Sequence, residues 1–353
     1  MDETTIPIDA TKFEEEFSIK KRNSIAKDNT TNTKSKAIIS PISVQRQQNI
    51  NVVLARTKLT HQTLVEALKK YNLRKLSQNF CELLLPIMPT TTELSLIKSV
   101  DDLIVDSFNE AEKIMYYVGD IPGYDLRLKA ILFNYTFADS YKEICEKVNI
   151  IIEFLSFVKS DIVSEWLKIV LAYGNYLNGT SNRGGAFGFK LDTINKLNDI
   201  KSNDKKKTLL YFIVEWVMDN KKELLCNLQV IENYDININI NLINDLVKDV
   251  KKGFMCVSKL NDMIPAMIDP DDKTEEFIGG FYDVCEKNIY EIDSDLKMLE
   301  TNYETIVNYY GESPKELSFD NLVEIFYGFF KDIRVRIYLL IICCYFIYYM
   351  FYF

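Results

Sequence analysis

Gly174-Asn175-Tyr176-Leu177-Asn178-Gly179-Thr180-Ser181-Asn182-Arg183-Gly184-Gly185-Ala186-Phe187-Gly188-Phe189-Lys190-Leu191 is the densest glycine cluster in a chain that has only 12 glycines. An apolar helical pattern of Trp166, Ile169, Val170, Tyr173 and Leu177 runs into it. A second pattern leaves it, through Leu191, Ile194 and Leu197, then Leu209, Phe212, Ile213 and Trp216. Gly179 suits a helix C-cap, because glycine takes positive φ at little cost. Arg183 to Gly188 then reads as a short loop whose backbone can approach another surface closely. Asp204 to Thr208 reads as the next helix start, an acidic residue ahead of an apolar run.

Phosphate binding is the first chemistry such a loop suggests, and the residues argue against it. The spacing from Gly179 to Gly184 imitates a P-loop, but Gly185 stands where the phosphate-binding lysine belongs. No Ser or Thr follows to hold magnesium, and a helix precedes where a strand is needed. The dinucleotide fingerprint fails in the same way, since Gly184, Gly185 and Gly188 follow no predicted strand.

Composition bounds the rest. The 353 residues hold one large or two ordinary domains, and 47% hydrophobic with 26% charged residues is normal for a folded soluble protein. Eight prolines favour long helices over a turn-rich β architecture. A net charge of −9 argues against nucleic acid as the main partner. Seven cysteines, at 81, 145, 226, 256, 285, 343 and 344, form no Cys-x-x-Cys, and one histidine, His61, cannot build a zinc site with them. No metal site, cofactor or catalytic residue is expected. The cysteines read as reduced, mostly buried thiols of a cytoplasmic protein, and the N-terminus lacks an apolar signal-peptide core.

Along the chain, residues 1–39 end in a polar Asn/Thr/Lys/Ser tract that cannot bury a core. A helix is predicted from Val44 to Arg56, with more apolar positions than one narrow stripe accommodates; Val52 or Ile50 is a candidate for exposure, although periodicity alone favours both as core. Thr60 opens a helix through Lys70. Leu73 to Leu85 follows, Thr90-Thr91-Thr92-Glu93 reads as a capped restart, and a helix over Val100–Val118 ends before a Pro122-Gly123 turn. Leu126 to Tyr173 carries helical periodicity with one break near Asp161, where Ser160 is a candidate cap. His61 reads as structural. Asp235-Ile236-Asn237-Ile238-Asn239-Ile240-Asn241 alternates like a strand, yet Leu242, Ile243, Leu246, Val247 and Val250 follow at helical spacing. Phe277 to Tyr310 reads as a final long helix, and Asn321 to Phe330 as a last short one.

The glycine stretch, with Leu197-Asn198-Asp199-Ile200-Lys201-Ser202 after it, closely resembles the signature of the formin homology-2 domain, the actin-assembly module of formins. Other segments carry the likeness over roughly residues 10 to 330. Phe13-Glu14-Glu15-Glu16-Phe17-Ser18 resembles the end of the lasso segment, residues 44–93 the knob, and Tyr309-Tyr310-Gly311-Glu312 the closing element. The resemblance implies an elongated all-α fold of knob, antiparallel coiled-coil region and post. It favours helix over strand at residues 235–241. Residues 40–330 would be the domain, residues 1–39 a lasso remnant and linker, and residues 331–353 an apolar tail.

It also implies a function. The module would bind actin monomers and filament barbed ends, nucleating filaments and capping processively, within the actin cytoskeleton. Val52 would be the hydrophobic anchor, where the family usually has Ile, with Arg56 and Lys58 as basic neighbours. Lys190 matches the second actin-contacting position. Gly174, Asn175, Asn178, Gly184, Gly185, Phe187 and Gly188 map to the post, the dimer-contact surface of the family's homodimer. Three departures stand out. The lasso tryptophans are missing, since Trp166 and Trp216 are the only two, which bears on closure of the dimer ring and on processivity and suggests a gene fragment. No polyproline run encodes profilin–actin recruitment, and no regulatory motif is recognisable. Ile337 to Phe353, flanked by Lys331, Arg334 and Arg336, reads either as a tail anchor or as untranslated AT-rich sequence entered after Phe330. The second is favoured because the domain ends where the tail begins and Cys343-Cys344-Tyr345-Phe346-Ile347-Tyr348-Tyr349-Met350 is poor company for a short anchor, while a third reading, a buried core helix, lacks anything to bury it. The competing function is a membrane-tethered helical scaffold without actin chemistry.

Overall fold

Serine, threonine and asparagine punctuate this chain at its helix starts, and the backbone obeys them. The computed structural model describes residues 42–179, 184–225, 228–234 and 240–352. Ser43 caps α1 (Val44–Thr57), Thr60 caps α2 (His61–Lys69), and α3 (Gln78–Leu84) runs into a 3-10 turn, Leu85–Ile87, at Pro86. Thr90 with Glu93, and Asn109 with Glu112, close reciprocal capping boxes on α4 (Thr91–Lys98) and α5 (Glu110–Val118). Gly123, at φ 63°, turns the chain into α6 (Tyr124–Val158), and Ser160 caps α7 (Asp161–Asn178). After a 3-10 helix, Leu191–Asn198, Thr208 caps α8 (Leu209–Asn220). Then come α9 (Gln229–Asn233), α10 (Ile240–Met263), α11 (Thr274–Tyr309) and α12 (Phe319–Tyr352). The fold is all-α. Among the described residues the only strand-like pairing is an isolated bridge between Lys201 and Thr208.

The long helices pack on one another: α6 lies against both α10 and α11, and those two lie against each other. Their sequences show why. In α11, Ile278, Cys285, Ile292, Leu299 and Ile306 are buried at intervals of seven, and α10 buries Ile243, Val247, Val250, Val257 and Leu260 in steps of four, three, seven and three. That is the seam of helices packed like a coiled coil. Gly253 marks a close approach of α10 to α6, since a Cβ there would stand 2.3 Å from the Phe133 ring. Cys81 and Cys285 are buried, and burial pushes both thiols up to about 12.

One buried ion pair joins the short helices to this bundle. Arg127, on the first turn of α6, is fully buried, and its guanidinium donates to both oxygens of Asp272 at 2.9 and 2.5 Å. Its Nε donates to the Pro122 carbonyl. Thr274 donates through its amide and its hydroxyl to the same carboxylate, and the Thr274 hydroxyl hydrogen-bonds Tyr71 in the turn just past α2. Tyr71 stacks on Phe277 at 4.3 Å, and burial raises its phenol to about 12.

The course of the helices departs from the sequence reading at several points. The helix expected from Leu73 starts only after Ser77. The helix expected over Val100–Val118 divides into a 3-10 segment, Asp102–Ser107, and α5, because Asn109 caps a new start. Leu191, Ile194 and Leu197 are buried, but on a 3-10 turn. Asp204 lies in a loop ahead of the true cap, Thr208. The expected short helix ending at Phe330 continues unbroken to Tyr352. Ile333 is fully buried and Leu340 nearly so, so the body does bury part of the segment after Phe330. The Phe13–Ser18 hexad and residues 235–239 lie outside the described residues, although the chain is already helical at Ile240. Among the described residues no single helix is long and apolar enough to cross a membrane.

Two outcomes are expected from this packing. Asp272→Ala leaves Arg127 buried without its partner and should lower unfolding free energy in urea by about 3–5 kcal/mol, whereas Arg127→Met with Asp272→Met should cost less than the single change. Burial alone would raise the Asp272 carboxyl, but hydrogen bonds from Arg127 and Thr274 outweigh it and hold the group below its ordinary value. Its stabilisation is therefore complete above the usual aspartate range, near pH 3.9, and is lost as pH falls through the depressed value. Acid melts of wild type and the double variant should converge there. Gly253→Ala should destabilise by about 1–3 kcal/mol despite alanine's better helix propensity, because the Phe133 ring cannot retreat from a packed seam.

Candidate functional site

The sequence-predicted residues fall on two separate parts of the fold. The first is α1, which packs on α3 and α5. Ile50 and Leu54 are buried and hold it down, while Val52 is 68% exposed. Val44, Gln48, Val52 and Arg56 follow at intervals of four and so share one outward stripe, all exposed. Val44 had escaped the sequence reading, although its distance of two helical turns from Val52 is the signal that finds it. Lys58 is exposed as well and takes φ 56° to end the helix, its amide donating to the Leu54 carbonyl at 2.7 Å. The helix is fixed in rotation by Arg46. Its guanidinium donates to Glu93 at 2.8 Å and to the carbonyls of Pro86 and Met88, each at 2.9 Å. Val52 is thus an aliphatic side chain held in water by a rigid support.

His61 belongs to that support. Its amide and ring both hydrogen-bond the Glu110 carboxylate, at 2.6 and 2.9 Å, and its ring stacks on Tyr117. Those contacts are structural, as the sequence reading has it.

The second part is the end of α7 and the loop after it. The helix is anchored by Trp166, which is fully buried, donates to the Leu224 carbonyl at 3.2 Å and lies edge-on to Phe329 and Phe330. Val170 is the last buried residue. Beyond it the helix outruns its core: Tyr176 is 85% and Leu177 57% exposed, so Leu177 does not continue the buried stripe expected of it. Gly179 ends the helix at φ 53°.

Asn175 organises the loop beyond the helix. Its side-chain amide donates to the Ala186 carbonyl at 2.9 Å, and the Ala186 amide donates back to its carbonyl oxygen at 2.8 Å. This two-point clasp draws the Gly184–Gly188 loop onto the helix and leaves Phe187 completely in solvent. Gly185 takes φ 68°, which disfavours any side chain there. Gly174 and Gly188 have nothing within 4 Å of where a Cβ would be, so the glycines leave the face open. Lys190, four residues past Ala186, stands at the N-cap of the 3-10 helix and is exposed. It borders a groove of about 420 Å³ shared with Asp192, Glu312, Glu316 and Glu324. Among the described residues no group of acidic, His and Cys side chains has the arrangement to hold a metal ion.

A family model described as Formin Homology 2 Domain matches residues 1–334. Formin-H of Dictyostelium discoideum is 29% identical over 309 residues, which is 85% of this chain and 28% of that protein. Formin-like protein 1 of Homo sapiens is 27% identical over 337 residues, 92% of this chain and 30% of that protein. Disheveled-associated activator of morphogenesis 1 of Homo sapiens is 27% identical over 323 residues, 89% of this chain and 30% of that protein. The chain therefore spans under a third of the length of these curated relatives.

Asn175→Ala should release the loop without unfolding the domain. Each lost hydrogen bond is worth about 1 kcal/mol, so amide exchange at Ala186 should rise roughly five- to tenfold while the thermal midpoint stays in place. Unchanged exchange at Ala186 would show that the clasp does not hold the loop.

Proposed function

The chain belongs to the Formin Homology 2 family, and from that premise we propose that it is an actin-assembly module that binds filament barbed ends and stabilises nuclei. The observation that carries this reading is the exposure of Val52 on a helix whose neighbouring aliphatics are buried. An aliphatic side chain fixed in water gains about 1.5–3 kcal/mol when a partner's apolar cleft covers it. Because Ile50, Leu54 and the Arg46 fork already hold α1, little further ordering entropy opposes that gain. Arg56 and Lys58 stand beside it as cations for an acidic rim.

Lys190 supplies the second contact. It is exposed and works through charge, so its contribution weakens with salt. Two contacts on different parts of one rigid body would hold actin subunits in filament-like geometry and remove part of the entropic cost of a nucleus. No covalent bond is made or broken in this chemistry, and the module is not read as an enzyme. The open glycine face of Gly174, Gly185 and Gly188, with Asn175, Asn178 and Phe187, is where a second copy would pack in a homodimer. On this reading the protein works in the cytoplasm, on the actin cytoskeleton.

The test is seeded barbed-end elongation of actin with the full chain, beside Val52→Asp and Lys190→Asp. Wild type should slow or gate elongation. Val52→Asp should weaken end binding roughly 10- to 100-fold, as the lost apolar burial dictates, and Lys190→Asp should weaken it most at low salt. Both positions are exposed, so stability should change by no more than about 0.5 kcal/mol. Equal activity of wild type and both variants would sink the assignment.

A further inference from the structure

Two features that actin binding leaves unused meet beside α12. The first is apolar. Val335, Tyr338, Leu339 and Ile342 are 46%, 54%, 44% and 61% exposed, and their spacing of three and four places them on one face. Ile333 and Leu340, on the opposite face, are buried. Lys331 precedes Val335 by one turn on the exposed side. The sequence from Cys343 to Phe353 continues with no charged residue.

The second feature is cationic. The loop closed by the Lys201–Thr208 bridge presents Lys201, Lys205 and Lys206, all exposed, and among the described residues none of the three makes an ion pair. Lys207 alone is engaged, with Glu215. Of the nearby carboxylates, Asp204 accepts from Ser202 and the Lys206 amide and Asp332 accepts from Asn198, while Asp199 is exposed two residues before Lys201. Glu232 accepts from Arg334 and Tyr338. Asn198 also accepts from Arg336, so the loop departs from the flank of α12. Lys201 follows three residues later, at most about 11 Å along the chain, and Ile200 beside it is 44% exposed.

We propose that this side of α12 docks on an anionic lipid bilayer, the apolar row entering the headgroup–acyl boundary and the lysine loop meeting the negative surface. An apolar row flanked by cations, with a tyrosine at its edge, is the chemistry of interfacial helices. A phosphate backbone would make no use of Leu339 and Ile342. A second copy would bring the same loop, in which Lys201, Lys205, Lys206 and Lys207 outnumber the adjacent Asp199 and Asp204, so that two such loops would repel. The docking is independent of actin and leaves Val52 and Lys190 unoccupied.

The experiment is flotation of the full chain with phosphatidylcholine vesicles and with phosphatidylcholine–phosphatidylserine vesicles. Wild type should float only with the second, and added salt should release it. Each lysine near a charged surface is worth about fivefold in partitioning, so Lys201→Glu, Lys205→Glu and Lys206→Glu together should reduce binding roughly 100-fold. This triple variant leaves α12 intact and decides the matter even if Leu339→Ser with Ile342→Ser, expected to abolish flotation, proves unstable. Equal flotation on neutral vesicles, or full binding by the lysine variant, would overturn the proposal. So would no flotation at all, or self-association without lipid that Leu339→Ser with Ile342→Ser disperses, which would assign the face to a second copy.

Discussion

A guanidinium with no solvent exposure has to fill its donors from the protein, and Arg127 does so with Asp272 and the Pro122 carbonyl. The constraint reaches further than the pair. Asp272 sits in the turn between α10 and α11, so satisfying it fixes where that turn lies against the first turn of α6. Thr274 shares the carboxylate and passes the constraint to Tyr71, in the turn just past α2. The short helices are thereby held to the end of the long bundle by polar geometry rather than by apolar contact alone. Apolar contact tolerates sliding, whereas a bidentate fork does not. The orientation of α1, and with it the direction in which Val52 faces, inherits that rigidity.

The exposed residues share a construction. In α7 a buried tryptophan anchors one end and the other end runs on past its core; in α12, Ile341 and Ile342 are likewise exposed just after the buried Leu340. An aliphatic or aromatic group in water is tolerable when its backbone is already held by elements elsewhere, because the site then has little conformational entropy left to lose on binding. Asn175 applies the idea on a smaller scale, turning a glycine-rich loop into a defined edge with two hydrogen bonds.

Much of this was legible in the residues. The caps at Thr60, Thr90 and Ser160 announce helix starts because their side chains satisfy amides the helix leaves unpaired. The break between α6 and α7 followed from the same rule, and the cap at Gly179 from glycine's freedom to take positive φ. Periodicity could not tell which members of an over-wide apolar stripe face water, as at Ile50 against Val52, or where a stripe outruns its core, as at Leu177. Those depend on neighbours distant in sequence. The Arg127–Asp272 pair was invisible for the same reason, its partners being 145 residues apart. The continuation of α12 past Phe330 was misjudged because Ile333 and Leu340 find their cover in elements that local pattern does not reveal.

Cys81 and Cys285 give this architecture a further property. Each is buried, one among the short helices and the other in the α11 seam, and each thiol is held in its unreactive protonated form. Alkylation therefore waits for its surroundings to open. The chain carries one chemical clock in each half of its core, and the ratio of their rates distinguishes a molecule that breathes locally from one that comes apart as a whole.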